Sequence, residues 1–348
     1  MASDGFSVTV VIPAYNERSR IAEAIRSIRE QSEPPAEILV VDDGSQDDTA
    51  DVARSCGVRV LAQANAGVAA ARNRALREAR SPWVAFCDAD DVWLPRKLEL
   101  NRSAHEVRPD AAFLFGDYES VRGGTIVVPS VFADAPSFSA SRSPAAPGFS
   151  YFEGRVLARA LAEYNFVHPS TVVVDRRLVV ERNVFFDETL RRDATCLIPE
   201  DLEWYLRVLR VTGAVAVDEV VEQCRLHEGS MSANRTRLYY GLVKLADAVV
   251  ANPSAYAEDA GVAFAQQRRA ILRKAAMVAL GELRFDAAYE RLADAQQQRF
   301  VSRDQALVLF AAIARFAPAR PVAVALIVVW QRFLGPLLRT LRHRRAAT

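Results

Sequence analysis

Long apolar runs are missing from this chain. None approaches the roughly 18–20 residues that a bilayer-spanning helix requires. The N-terminus, MASDGFSVTVVIP, has no basic stretch ahead of its apolar one, which argues against a secretory leader. Cysteine is scarce. Cys56, Cys87, Cys196 and Cys224 lie far apart with no C-x-x-C, so neither a zinc site nor a redox pair is indicated. Reduced core thiols in a cytosolic protein are the expectation. Net charge is also nearly absent, at +1, so no overall field recruits nucleic acid. No G-x-G-x-x-G or G-K-[ST] follows any apolar strand pattern, which disfavours dinucleotide oxidoreductases and P-loop enzymes.

The sequence does have apolar residues in quantity, 51% of 348, enough for a core and for more than one folding unit. The first hundred residues alternate two patterns. VTVVI (8–12), EILVV (37–41), VRVL (58–61) and WVAFC (83–87) read as buried strands. Between them, Ile21, Ile25 and Ile28 recur at helical spacing, DDTADVARSC forms a short helix ended by Gly57, and GVAAARNRALREA (67–79) is an Ala-rich helix. A helix follows Pro95, and AAFLF (111–115) makes a fifth strand. The alternation predicts an α/β fold with a parallel sheet wrapped by helices. From about 123 to 150 the pattern dissolves into Ser, Pro and Ala, as a long surface loop would. Helices near 155–164 and 201–210, a strand at 170–174 and strands over AVAVDEVVEQCRLH follow. After about residue 235 the chain reads as helical and carries no acidic or histidine cluster.

Polar clusters punctuate the strand ends. PAYNE follows the first strand, DDGS the second, NAG the third and DADD the fourth. Open α/β sheets bind ligands at that carboxyl edge. In extended backbone Asp88 and Asp90 project to one side, and two close carboxylates repel unless a cation lies between them. Mg²⁺ or Mn²⁺, which take carboxylates together with substrate phosphates, would resolve this. Asp91 suits a cap of the next helix or a supporting contact. Asp43 can accept from a ribose hydroxyl or a base N–H, although Asp/Gly/Ser runs also make ordinary turns. Asp47 and Asp48 read as caps. Gly67 opens a helix whose N-terminus attracts anions. Arg72 is either a contact for a diphosphate or uracil, or a solvated helix arginine.

The segments VTVVIPAYNE, SIREQSEPPAEILVVDDGSQDDT, NAGVAAARNRAL and WVAFCDADDVWLPRKLE together resemble the family 2 glycosyltransferases, inverting enzymes of GT-A fold. The likeness is close over roughly residues 6–100 and looser over about 160–230. It implies a Rossmann-like, mostly parallel sheet flanked by helices, with a helical C-terminal region. It divides the chain into a nucleotide-sugar-binding half (1–110), an acceptor-binding half (111–233) and that helical region (234–348). Pro13, Ala14, Tyr15 and Glu17 would contact the nucleoside, Asp43 uracil or ribose, with Arg72 assisting. Asp88 and Asp90 would hold ribose and a Mg²⁺ or Mn²⁺ ion on the diphosphate. His227, in CRLHEGSMSAN, is either a further ligand or a surface histidine. The general base falls at Asp201 in IPEDLEWYLRVL, with Glu200 beside it, although a helix N-terminus lowers the pKa of an acid there. His168 is a candidate for the acceptor site, and Trp204 for the core or an acceptor platform.

The implied reaction moves a sugar, by default from a UDP-sugar, to a saccharide or lipid-linked saccharide acceptor in cell-surface polysaccharide or glycolipid synthesis. A sugar-nucleotide pyrophosphorylase is the rival enzyme, but PAYNE lacks the Gly-rich basic loop expected of one. A non-catalytic nucleotide-sugar-binding scaffold is the rival from another class. In the tail, Val322–Trp330 followed by Arg339, Arg342, Arg344 and Arg345 suits either peripheral contact with the inner face of a membrane or a last helix with a solvated end.

Overall fold

A computed structural model describes residues 5–190, 197–227 and 235–281. The tail from 322 onward, the rest of the helical region beyond 281 and Cys196 lie outside the described residues. The chain divides into two compact units. One takes in residues 1–192, 198–233 and 245–266, and every residue of the candidate site belongs to it. The other takes in 193–197, 234–244 and 267–348.

Chain order begins β1 (Val8–Ala14), α1 (Ile21–Arg29), β2 (Glu37–Asp42), α2 (Thr49–Ser55), β3 (Arg59–Ala62), α3 (Val68–Glu78) and β4 (Trp83–Phe86). The alternation read from the sequence is present, with boundaries shifted by a residue or two. All of β1 is buried, which is why it reads as an unbroken apolar run. On α1, Ile21, Ala24, Ile25 and Ile28 are buried and face the sheet, as their spacing requires. Then come β5 (Val92–Trp93), α4 (Lys97–Val107), β6 (Phe113–Arg122), β7 (Thr125–Val128), α5 (Pro136–Ser141), β8 (Ser143–Ala146), β9 (Phe149–Phe152) and α6 (Gly154–Glu163). A 3₁₀ turn at Pro169–Thr171 leads into β10 (Val173–Asp175), followed by α7 (Arg176–Glu181), α8 (Glu200–Val208) and β11 (Ala214–Arg225). Two helices, α9 (Arg235–Ala251) and α10 (Glu258–Gly281), complete the described chain.

The strands form one 11-stranded sheet in the order β3-β2-β1-β4-β10-β6-β11-β9-β8, with β5 on β11 and β7 on β6. The run β3-β2-β1-β4 is parallel, and so is the β6–β11 pair. Between them β10 runs antiparallel to both neighbours, so β4, β6 and β11 all point the same way. Chain order reverses beside β1, whose neighbours are β2 and β4, and this makes the crevice at its carboxyl end a ligand site by topology. In register, Ala14 lies opposite Asp42 and Asp42 opposite Ala62, so these strand ends finish level. The core under this edge joins Val10, Ile12, Ile25, Val40, Trp83, Leu98, Leu114, Val173 and Val215.

The expected loop over 123–150 is corrected. Those residues carry β7, α5, β8 and the start of β9. The cause is aromatic: Phe132 and Phe138 are buried and stack at 3.9 Å, holding a Ser/Pro/Ala-rich stretch that has little pattern of its own.

One glycine marks the tightest packing. A Cβ on Gly154 would sit 2.0 Å from the carbonyl oxygen of Leu209 and 2.3 Å from that of Thr212. Both obstacles are backbone, so α6 cannot yield cheaply. Gly154→Ala is expected to destabilise the fold by about 2–3 kcal/mol, the upper part of the overpacking range, read as a lowered thermal midpoint.

Candidate active site

The carboxyl edge of β1 to β4 is built by local necessity. After β1, Asn16 takes positive φ (57°), a conformation asparagine tolerates better than most residues. Its amide donates to Ser45 Oγ (3.0 Å), and its side-chain oxygen accepts from the Gln46 amide (2.8 Å). The Glu17 amide donates to Thr49 Oγ1 (2.8 Å). Two polar clusters far apart in sequence are thus laced into one rim. Pro13 and Ala14 end the strand within the core, while Tyr15 beside them is 44% exposed, an open aromatic face at the crevice. Burial raises the Glu17 carboxyl above the usual range, the hydrogen bond from Arg20 opposes this, and Asp90 adds to the rise, so Glu17 and Asp90 are electrostatic neighbours.

Asp43 does more inside the fold than its position suggested. Its Oδ1 accepts from Gln63 Nε2 (2.8 Å) and the Ala66 amide (2.9 Å), and its Oδ2 from the Gly67 amide (2.8 Å). It therefore latches the loop that opens α3. Gly44 permits this closeness: its φ is +76°, and a Cβ there would meet the Asn65 amide nitrogen at 2.8 Å. Asp47 makes a local turn contact, Oδ1 accepting from the Thr49 amide.

Arg72 is not a solvated helix arginine. It is 1% exposed on α3, donating Nη2 to Asp88 Oδ1 (2.8 Å) and Nη1 to Glu200 Oε1 (3.1 Å). Burial opposes its charge, but Asp88 and Glu200 outweigh burial and hold it protonated. One guanidinium thus joins the end of β4 to the first residue of α8. The neighbour of Glu200, Asp201, has its carboxyl pushed up to about 6 by burial and by Glu200, with Arg72 pulling the other way. The expected lowering by the helix terminus is outweighed, because desolvation penalises the ionised form more than one backbone N–H relieves it.

The DADD turn is held from several sides. The Asp91 amide donates to Asp88 O (3.1 Å). Asp91 does not cap α4, whose N-cap position is Arg96 with no side-chain bond. It is instead 2% exposed, its Oδ2 accepting from Ser170 Oγ (2.6 Å) and its Oδ1 from the Arg225 amide (3.2 Å). Arg225 Nε also reaches Asp90 O. Asp90 Oδ2 lies 2.9 Å from His227 Nε2, and Arg20 Nη2 lies 3.3 Å from His227 Nδ1. His227 is therefore at the carboxyl edge with Asp90, beyond the end of β11. His168 Nδ1 lies 2.9 Å from Glu222 Oε1 and 3.7 Å from Asp91 Oδ2. Burial would lower its pKa, but Glu222, Cys224 and Asp91 raise it well above the ordinary imidazole value. Trp204 is core: 0% exposed, stacked on Phe186 at 4.3 Å, with Nε1 donating to Val184 O (2.8 Å).

Three functional-looking groups escaped the sequence reading. Glu222 is fully buried within β11, and only its place in an apolar strand could have flagged it. Lys97 is likewise fully buried, donating Nζ to Thr171 O (2.9 Å) and Asn101 Oδ1 (3.1 Å), and burial takes it down to about 7 against the pull of Glu222. Ser170 is the third, between Asp88 and Asp91.

The donor chemistry at the edge fits a hard divalent cation. Asp88, Asp91 and His168 bring ligand atoms within 4.8 Å of one another, the one such group found among the described residues. Within it His168 faces Glu222 and both Asp91 oxygens accept hydrogen bonds, so these two are engaged inside the fold, whereas Asp88 has a side chain 21% exposed. Asp90 and His227, with side chains 24% and 23% exposed, are open to the crevice and supply oxygen and imidazole ligands of the kind Mn²⁺ accepts.

Three comparisons bear on this geometry. Residues 9–134 match the family model described as glycosyl transferase family 2. The UDP-Glc:alpha-D-GlcNAc-diphosphoundecaprenol beta-1,3-glucosyltransferase WfgD of Escherichia coli is 34% identical over 128 residues, covering 36% of this chain and 50% of that protein. The chain thus matches about half the length of that relative. Among solved structures, S. aureus TarS 1-349 in complex with UDP-GlcNAc superposes with TM-score 0.59 at 17% identity, covering 94% of this chain and 92% of that one. The mannosyltransferase PcManGT of Pyrobaculum calidifontis, in complex with GDP-Man and Mn2+, gives TM-score 0.52 at 20% identity, covering 93% and 87%. These two likenesses establish the fold.

The shared guanidinium yields a stability test. Arg72→Met would take the buried guanidinium away from Asp88 and from the largely buried Glu200. A loss of about 3–5 kcal/mol is expected, read by urea denaturation. An unchanged midpoint would show that the carboxylates do not depend on Arg72.

Proposed function

The chain is a family 2 glycosyltransferase of GT-A fold, and on that footing we propose that it moves a hexosyl group from a nucleotide-sugar to a hydroxyl acceptor with inversion. The observation that carries the reading is the Arg72 bridge, which sets Asp88 and the Glu200–Asp201 pair on one edge of one sheet. A donor group and a base must lie that close for a single displacement. Glycosyl transfer also sets aside both the pyrophosphorylase, which transfers a nucleotidyl group, and the non-catalytic scaffold.

In this reading Pro13, Ala14, Tyr15 and Glu17 line the nucleoside, with Asp43 and Arg72 shaping that end of the crevice. Asp88, Asp90 and His227 would hold Mg²⁺ or Mn²⁺, which when bound neutralises charge on the leaving diphosphate. Asp201 takes the proton of the acceptor hydroxyl as its oxygen bonds to the anomeric carbon. The bond from that carbon to the diphosphate breaks on the opposite face, and the nucleoside diphosphate leaves. No second acid is needed, in contrast to glycoside hydrolysis, because the leaving group is already a stabilised anion. Residues 1–110 form the donor half and 111–233 the acceptor half of this machinery.

UDP is the preferred nucleoside, by likeness to WfgD and to TarS, which binds UDP-GlcNAc. The acceptor in this reading is a saccharide, lipid-linked as in the name of WfgD, and the work belongs to cell-surface polysaccharide synthesis. No helix among the described residues is long and apolar enough to cross a membrane. Contact with an inner membrane face would fall to the basic tail.

Two measurements test the reading. A thermal-shift screen should show stabilisation by UDP with Mn²⁺ present and little without it. No response to any nucleoside diphosphate would overturn the donor site. Asp201→Asn should retain that shift while turnover falls by about 10²–10⁴-fold. Retained turnover would remove Asp201 from the role.

The pH profile gives an independent handle. The base acts only when ionised, and the Asp201 carboxyl sits up at about 6. Measured on the free enzyme, kcat/KM should therefore climb tenfold per pH unit below about 6 and level off above it. Asp201→Asn should abolish that limb.

A further inference from the structure

We propose that Ser170 is a positioning residue for the donor site, whose hydroxyl fixes the Asp88–Asp91 turn in the orientation that presents Asp88 and Asp90 to a divalent cation. The inference rests on the donor-site reading above.

The ladder leaving β4 shows why this hydroxyl matters. Phe86 N donates to Val172 O (3.1 Å) and Cys87 N to Val11 O (2.9 Å), both backbone acceptors on adjoining strands. One residue later the chain ahead of β10 has curled into the Pro169–Thr171 turn. The Asp88 amide is met there by a side chain, Ser170 Oγ, at 2.8 Å. The same oxygen donates its proton to Asp91 Oδ2 at 2.6 Å. A hydroxyl can accept and donate at once, so one atom pins both ends of the DADD turn. The Asp91 amide closes the turn on Asp88 O.

The result is a ring of hydrogen bonds through Asp88, Asp91 and Ser170. Of the two residues inside it, Ala89 is 3% exposed and packs into the core, which directs Asp90 to His227. Ser170 is itself immobilised. It is fully buried, and its carbonyl accepts Trp93 Nε1 at 2.9 Å. Without the hydroxyl, a buried amide and a buried carboxylate oxygen each lose a partner. The turn can regain them only by shifting relative to β4, and metal-holding carboxylates tolerate little displacement.

The test separates hydroxyl from volume. Ser170→Thr keeps the hydroxyl, and Ser170→Val has nearly the same shape without it. In the full chain, Mn²⁺ would be titrated into protein saturated with UDP, with bound ion read by calorimetry and by the Mn²⁺ EPR signal. Ser170→Val is expected to bind Mn²⁺ about tenfold or more weakly than Ser170→Thr, the scale seen when a group supporting a metal ligand is removed. UDP affinity without metal should be alike in the two. Equal Mn²⁺ affinities would overturn the role of Ser170 while leaving the donor site standing. A wild-type protein with no Mn²⁺-dependent UDP binding would overturn the donor-site reading and this inference with it.

Discussion

One guanidinium carries the organisation of this edge. Arg72 is buried on α3 and donates to both Asp88 and Glu200, so one cation faces two carboxylates beside Asp201. Carboxylates crowded in a low-dielectric rim repel by several kcal/mol, and a bidentate arginine is the side chain whose fixed fork can face two of them. The same cation moderates Asp201. Burial and Glu200 push its carboxyl up, Arg72 draws it back, and the balance leaves a group that can exchange a proton near neutral pH.

Around that centre the charges are arranged in pairs of unequal exposure. Asp91 and Glu222, 3% and 0% exposed, are interior and hold His168 between them, while Asp90 and His227, 24% and 23% exposed, lie at the crevice. Interior groups that already have partners hold geometry, and half-exposed ones can change partners when a ligand arrives. Arg225 links the two sets, with its amide on Asp91 and its side chain on the Asp90 carbonyl.

Much of this was legible in the residues. The strands β1, β2 and β4 are wholly or mostly buried, so they announce themselves as apolar runs, the edge strand β3 is only partly covered, and whatever polar cluster ends each run must sit at one edge. That logic located Asp43, Asp88 and Asp90, and a separate acidic pair located Glu200 and Asp201. It failed where tertiary contact decides. Nothing local says that Arg72 is buried, because a helix arginine looks the same on either face. Glu222 and Lys97 are buried, and each has a partner far along the chain, His168 54 residues from Glu222 and Thr171 74 residues from Lys97. The elements within 123–150 are held by aromatic packing between Phe132, Phe138 and their neighbours, which leaves no periodic mark. The reversed strand β10 is only three residues long and could not be oriented from composition.

That short reversed strand has a consequence for how the molecule comes into being. It lets β11 run parallel to β4 and end at the same rim, so the Asp88 amide waits for Ser170, 82 residues on, and Asp90 for His227, 137 residues on. Contacts of such span close late, since the intervening chain must first be made and ordered. While it is still being synthesised, a polypeptide that has emerged only through α6 has its aspartates and Arg72 but neither Ser170 nor His227. The rim therefore matures only when translation has carried the chain past β11, and a truncated product would carry it unfinished.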